Sequence, residues 1–164
     1  MDLKVYLKEK IALVDAALEQ YLPKEEDRPQ SIHKAMRYSI FAGGKRVRPV
    51  LMLAACEAVG GAVEKAMPAA CAMEMIHTYS LIHDDLPAMD DDDFRRGRPT
   101  NHKVFGEEIA ILAGDGLLTE AFKLISDPRF AGGSDPAVRI AVISEIATCA
   151  GTYGMVGGQV VDME

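Results

Sequence analysis

Six aspartates fall within ten positions, Asp84, Asp85, Asp90, Asp91, Asp92 and Asp93, and three arginines follow at once, Arg95, Arg96 and Arg98. Carboxylates packed so densely repel one another unless cations gather among them, and hard oxygen donors are what Mg²⁺ or Ca²⁺ prefer. The adjoining guanidinium groups are built to grip phosphate oxygens in pairs. The two together point to a site for a metal–phosphate complex. A calcium loop of the EF-hand kind does not fit, because counting from Asp90 puts Arg95 where the turn glycine belongs and Asn101 where the terminal glutamate belongs.

An acidic run alone is usually a solvated loop, so its setting decides. Upstream lies AMPAACAMEMIHTYSLIH, a long apolar segment without glycine and with one proline near its start, which reads as a buried helix ending at the acids. On an ideal helix Asp84 and Asp91 would share a face, and Asp84 and Asp90 would diverge by about 120°. Pro87 removes a backbone donor and clashes with the carbonyl of His83, so the helix is not expected to continue through it. Spacing alone leaves open which carboxylates converge.

A second concentration of charge, GGKRVRP at positions 43–49, sits between two apolar segments. Pro49 suits the first position of a helix running through VLMLAACEAV, which places Lys45 and Arg48 beside a helix N-terminus whose free N–H groups favour phosphate. His77 lies seven residues before Asp84, on the same helix face two turns earlier.

SLIHDDLPAMDDDDFRRGRPTNH resembles the first aspartate-rich motif of the trans-prenyltransferases, the short-chain polyprenyl diphosphate synthases, in the form with four residues between the aspartates. GGKRVRP resembles the family's other amino-terminal signature, MVGGQVVDM at 155–163 resembles a third, and the likeness runs from about Ser31 onward. The resemblance implies an all-α, isoprenoid synthase-type helical bundle. It also implies that Asp84 and Asp90 hold Mg²⁺, with Asp85 completing or supporting the shell. Arg95 would contact an allylic diphosphate; Lys45, Arg48, His77 and Arg96 would hold isopentenyl diphosphate. Tyr79 and Ser80 would line the pocket that limits product length, and an aromatic residue at Tyr79 with this aspartate spacing goes with farnesyl diphosphate. Geranylgeranyl diphosphate is the second choice, and His83 is left a structural role.

The remaining composition agrees. Five Tyr, five Phe and no Trp, with abundant Ala, Leu and Met, favour packed helices, and 164 residues with 49% hydrophobic content suit one domain. A net charge of −7 argues against a nucleic-acid partner. Cys56, Cys71 and Cys149 form no C-x-x-C pair and read as reduced core residues of a cytoplasmic protein. The charged amino terminus lacks a signal-peptide core, and no apolar run suggests a membrane span.

In chain order, a first helix is expected over Leu3 to Leu22, with Leu3, Leu7, Ile11, Val14, Leu18 and Tyr21 as one buried stripe. A second carries Ile32, Ala35, Met36, Ser39 and Ile40 and is closed by Gly43-Gly44. Gly60-Gly61 marks the next break. Gly114 and Gly116, inside the segment IAILAGDGLLTEAFKLI, call for close helix packing or substrate approach. Asp135 and Pro136 cap a last helix expected to run unbroken into GGQVVDME.

Family members carry a second aspartate-rich motif and a Lys-Thr pair further along, so residues 1–164 are expected to be the amino-terminal part of one synthase domain, inactive alone, from a homodimeric enzyme. Two other readings are a non-catalytic helical fragment or regulatory subunit, and an HD-type metal phosphohydrolase suggested by His83-Asp84. The phosphohydrolase would leave GGKRVRP and the paired arginines unexplained.

Overall fold

The computed structural model describes residues 2–130 and 133–164. Its elements are α1 (Leu3–Tyr21), α2 (Gln30–Ile40), α3 (Val47–Ala58), α4 (Val63–Asp84), strands β1 (Phe94–Arg95) and β2 (Arg98–Pro99), α5 (Asn101–Phe105), α6 (Glu107–Ser126), a 3₁₀ turn at Pro128–Phe130, α7 (Pro136–Ala150) and α8 (Met155–Met163). The all-α expectation holds apart from one two-stranded hairpin.

The hydrophobic helix α4 is the axis of the bundle. Eleven of its residues are buried, on more than one face, because α1, α2, α3, α6 and α7 all pack against it. Leu18, Ile40, Leu53 and Leu117 of its neighbours are enclosed with Met75 of α4 itself. Each contributes on the order of 1.5–3 kcal/mol relative to leaving it in water. Close approach of α6 depends on its glycines, as expected. A Cβ at Gly114 would lie 2.2 Å from His83 Nε2 on α4, and one at Gly116 would lie 3.1 Å from Met36 Sδ on α2.

Several local expectations are corrected. The stripe of α1 is buried only at Val14 and Leu18; Leu3 and Leu7 are exposed, because the first turns of α1 extend past the elements that cover its second half. Helix α3 starts at Val47, so Pro49 is its third residue. That position costs no hydrogen bond, since the first-turn N–H groups have no helical partner. Pro68 lies in the second turn of α4, where the carbonyl of Glu64 forgoes its usual partner.

The last helix is also broken. Helix α7 ends at Ala150, residues 151–154 turn, and α8 begins at Met155. A Cβ at Gly154 would fall 1.9 Å from the Cys149 carbonyl oxygen, and one at Gly157 would fall 2.0 Å from that of Thr152, so this sharp turn requires glycine at both positions. Pro136–Met163 does have the length and composition of a membrane-span candidate, with a mean hydropathy of 1.3 in its most apolar window. The expectation of no such run is therefore corrected, although the break divides it into two shorter helices. Of the cysteines only Cys71 is a core residue, its thiol pushed up to about 12 by burial; Cys56 is half-buried and Cys149 is exposed.

Arg46 caps α3 in the left-handed region, at φ 47°, a conformation that costs a non-glycine residue roughly 1–2 kcal/mol. Its guanidinium is enclosed and fully engaged: Nε donates to Asp15 Oδ1 at 2.8 Å, Nη1 to Glu74 Oε1 at 3.0 Å, and Nη2 to the Ile40 carbonyl at 2.7 Å. Glu74, on α4, is itself 2% exposed. Replacing Arg46 with Met leaves that carboxylate buried without its cation, and is expected to cost about 3–5 kcal/mol. A urea-unfolding midpoint unchanged from the parent would contradict this assignment.

Candidate diphosphate and metal site

The acidic run begins as the last turn of α4 and curls back on it. Asp84 closes the helix, and Pro87 ends further helical bonding as its chemistry requires. The amide of Asp90 then donates to the carbonyl of Asp84 at 2.9 Å, and that of Asp91, at φ 54°, to the carbonyl of Leu86 at 3.1 Å. This hook makes residues 84 and 90 backbone neighbours despite their divergence on an ideal helix.

The three arginines are presented by the hairpin. Arg96 at φ 55° and Gly97 at φ 75° form its two-residue turn, in the mirror-image conformation that suits the twist of paired strands, with Phe94 opposite Pro99 and Arg95 opposite Arg98. Neighbouring groups moor it. The Tyr38 hydroxyl donates to the Pro99 carbonyl at 2.9 Å, Arg98 lies over the Tyr38 ring, and Thr100 Oγ1 donates to the Asp92 carbonyl at 2.8 Å. The buried amide of Asn101 donates to Ala35 O and Ser39 Oγ, both at 2.8 Å. Tyr38, Thr100 and Asn101 were not singled out by sequence as anchors; the Arg-Gly pair between two short runs was the one available signal.

Arg95 is thereby set among the acids. Its Nε donates to Asp85 Oδ1 at 2.6 Å, and its Nη2 lies 3.5 Å from Asp84 Oδ2 and 3.6 Å from Asp92 Oδ2. Burial pushes the Asp85 carboxyl above its ordinary value, and Arg95 opposes that shift. On the next residue, the Arg96 guanidinium donates to the carbonyl of Gly43 in the basic loop. His77 is half-buried and its imidazole is held below its ordinary value, first by burial and then by the charge of Arg48, with Arg96 and Arg95 adding to this and Glu74 opposing it.

The residues expected to share one site line two separate spaces. Asp85, Arg95 and Arg96 line a small recess with Tyr38, Thr78 and Asn101. Asp84 instead lines an open, largely apolar cleft of about 500 Å³ with Tyr79, Ser80, Met89, Met155 and Gln159. Consecutive residues of a helix end point about 100° apart, so Asp84 and Asp85 face different spaces, although Arg95 reaches both carboxylates. Tyr79 is 8% exposed, stacks edge-on to His83 and has its hydroxyl pKa raised by burial; Ser80 Oγ donates to the His77 carbonyl. Asp90, Lys45 and Arg48 are exposed and line neither space. His83 bonds the carbonyl of Ile111 through Nε2, consistent with a structural role.

Among the described residues no three His, Cys, Asp or Glu side chains are gathered to enclose a metal ion. The donor set nevertheless fits a hard divalent cation. The six aspartates outnumber the cations paired with them, Arg95 and Lys103, and the 3.5 Å separation leaves Asp84 Oδ2 without a close donor from Arg95. Sequence reasoning missed two groups, the buried Arg46 and Gln159, whose Nε2 donates to Asp84 Oδ1 at 2.8 Å.

A family model described as Polyprenyl synthetase matches residues 29–164. The chain is 59% identical over 138 residues to the farnesyl diphosphate synthase of Bacillus subtilis (strain 168), covering 84% of this chain and 46% of that protein. It is 56% identical over 162 residues to the large subunit 1 of the chloroplastic heterodimeric geranylgeranyl pyrophosphate synthase of Arabidopsis thaliana, covering 99% of this chain and 43% of that protein. A crystal structure of an FPP/GFPP synthase from Zymomonas mobilis superposes with a TM-score of 0.91 at 42% identity, over 98% of this chain and 57% of that one. The chain thus spans about half the length of the relatives it matches.

The Arg95–Asp85 pair has a pH signature. A carboxyl raised in the folded state takes up its proton more readily there than in the unfolded chain, so its contribution to stability falls as pH rises through its ionisation. In Arg95→Gln the opposing cation is gone, Asp85 rises further, and this fall deepens. Urea unfolding should therefore show a larger deficit of the variant against the parent at about pH 7 than at about pH 3, below the ordinary aspartate range. An equal deficit at both would contradict the pairing.

Proposed function

Because the chain belongs to the polyprenyl synthetase family, we propose that it supplies the diphosphate-binding wall of a prenyltransferase that condenses isopentenyl diphosphate with dimethylallyl or geranyl diphosphate. The observation that carries this reading is the adjacency of opposite charges at the end of α4, where Arg95 lies among Asp84, Asp85 and Asp92 while Arg96 reaches the basic loop at Gly43. One group of residues suits a metal-bound diphosphate and the other suits a free one.

In this reading Asp84 and Asp90, supported by Asp85, hold Mg²⁺. The cation, when bound, supplies charge that stabilises the allylic diphosphate as it departs. Arg95 would exchange its carboxylate partners for diphosphate oxygens, which adds positive charge at the leaving group. The C–O bond then breaks with its electron pair on the diphosphate. Lys45, Arg48, His77 and Arg96 hold isopentenyl diphosphate so that its double bond attacks the allylic carbon, and a proton leaves the product cation. The growing apolar chain enters the cleft beyond Asp84, where Tyr79 and Ser80 bound its depth. We also place the enzyme in the cytoplasm as a homodimer, on its likeness to the bacterial farnesyl diphosphate synthases.

Farnesyl diphosphate is the product this pocket suits, since the Tyr79 ring lies five residues, about 7.5 Å, back along the helix from Asp84. The geranylgeranyl product is the second reading, favoured by the names of the plant relatives. Incorporation of labelled isopentenyl diphosphate into the product of geranyl diphosphate tests the activity. A protein containing this chain with Asp84→Asn should lose at least about 100-fold in kcat, in line with loss of transition-state charge stabilisation; retention of full activity would overturn the reading. Tyr79→Ala should lengthen the product by at least one isoprene unit. An unchanged chain length after dephosphorylation and chromatography would place the floor elsewhere. The 164-residue chain alone should turn over poorly, because its cleft is open to water beside the exposed Val156, Val160 and Met163 of α8.

A further inference from the structure

Of the six aspartate side chains in the acidic run, Asp84 is the one that accepts a hydrogen bond from a neutral side chain among the described residues. Its donor, Gln159, comes from α8, seventy-five positions along the chain. The chemistry of this contact differs from that of Arg95. A guanidinium competes with a metal ion for a carboxylate, because both are cations seeking the same charge. An amide N–H occupies one lone pair of Oδ1, fixes the rotation of the carboxylate about its Cβ–Cγ bond, and leaves its full negative charge in place.

The placement of Gln159 is not incidental to the fold. Helix α8 exists as a separate element because the chain turns at residues 151–154, a turn that Gly154 and Gly157 alone permit at those two positions. Without the turn, residue 159 would continue the line of α7. With it, residues of α8 line the cleft, Met155 and Val160 on either side of Gln159, and the amide meets the half-buried carboxylate at the end of α4. We propose that Gln159 is a positioning residue, holding Asp84 Oδ1 in one orientation so that the carboxylate is preset to receive a divalent cation. The inference rests on the reading of Asp84 as a metal ligand given above. Groups that orient a ligand in this way commonly account for about 10–100-fold in metal affinity.

The test is Mn²⁺ binding to the 164-residue chain, followed by the electron paramagnetic resonance signal of free Mn²⁺, for the parent, Asp84→Asn, Gln159→Met and the double variant. Met keeps the length and apolar packing of Gln while removing the donor, and far-UV circular dichroism checks that α8 is retained. The expected result is weakening by about 10-fold or more in Gln159→Met, greater weakening in Asp84→Asn, and no further loss when Gln159→Met is added to Asp84→Asn, since the amide acts only through that carboxylate. If Asp84→Asn weakens binding and Gln159→Met does not, the positioning role is wrong and the metal reading stands. If Asp84→Asn binds Mn²⁺ as the parent does, the metal reading falls and the inference with it. Equal, additive losses from the two changes would show that Gln159 acts independently of Asp84 and would also overturn the proposal. Should Gln159→Met lose helix, Gln159→Asn, whose amide is one methylene too short to reach, replaces it under the same criteria.

Discussion

The buried ion cluster of Arg46 with Glu74 and Asp15 is the constraint on which the site depends. The basic loop runs through Gly43 at φ 90°, Gly44 at φ 145° and Arg46 at φ 47°, a sequence of left-handed conformations that no regular element would hold. Arg46 holds it by reaching Glu74 in the middle of α4, Asp15 on α1 and the end of α2 at Ile40. Enclosing a guanidinium and a carboxylate is costly unless both are paired and fully hydrogen-bonded, and a partner of different geometry would leave a charge stranded. The loop is therefore fixed in one place relative to α4. Lys45 and Arg48 flank the buried residue on the exposed side, so the same anchor sets where free cations are displayed.

From α4 the order passes to the acidic end. Arg96 bonds the Gly43 carbonyl and packs so closely on the loop that a Cβ at Gly44 would lie 2.6 Å from its Nη1. Arg95, one residue earlier and on the other side of the hairpin, is held among the carboxylates. Two adjacent arginines thus link one loop of each charge. Burial, and after it the charge of Arg48, holds the His77 imidazole below its ordinary value beside this link.

Much of the fold could be read from the sequence because helical periodicity and glycine or proline breaks are local signals. The stripe of α2 and the packing glycines of α6 came out as expected on that basis. What failed was tertiary. The exposure of Leu3 and Leu7 depends on which helices extend alongside α1, and the apolar run after Pro136 concealed a turn whose cause, contact of Gly154 and Gly157 with preceding carbonyls, is visible only in three dimensions. The charged residues were legible by type and order, but not by pairing. Nothing local distinguishes buried Arg46 from exposed Lys45 and Arg48, or assigns Gln159 to Asp84. The division of Asp84 and Asp85 between two spaces likewise follows from where α8 and the hairpin lie.

The central claim is that the basic loop and Arg96 of the hairpin together hold one isopentenyl diphosphate beside the acidic run, and binding without turnover tests it most directly. Calorimetric titration of isopentenyl diphosphate into the 164-residue chain should show one salt-sensitive site, weakened by both Arg48→Ala and Arg96→Ala, with the losses non-additive because the two side chains would grip one diphosphate. Binding that survives both substitutions together, or that loses affinity additively as two separate sites would, contradicts it.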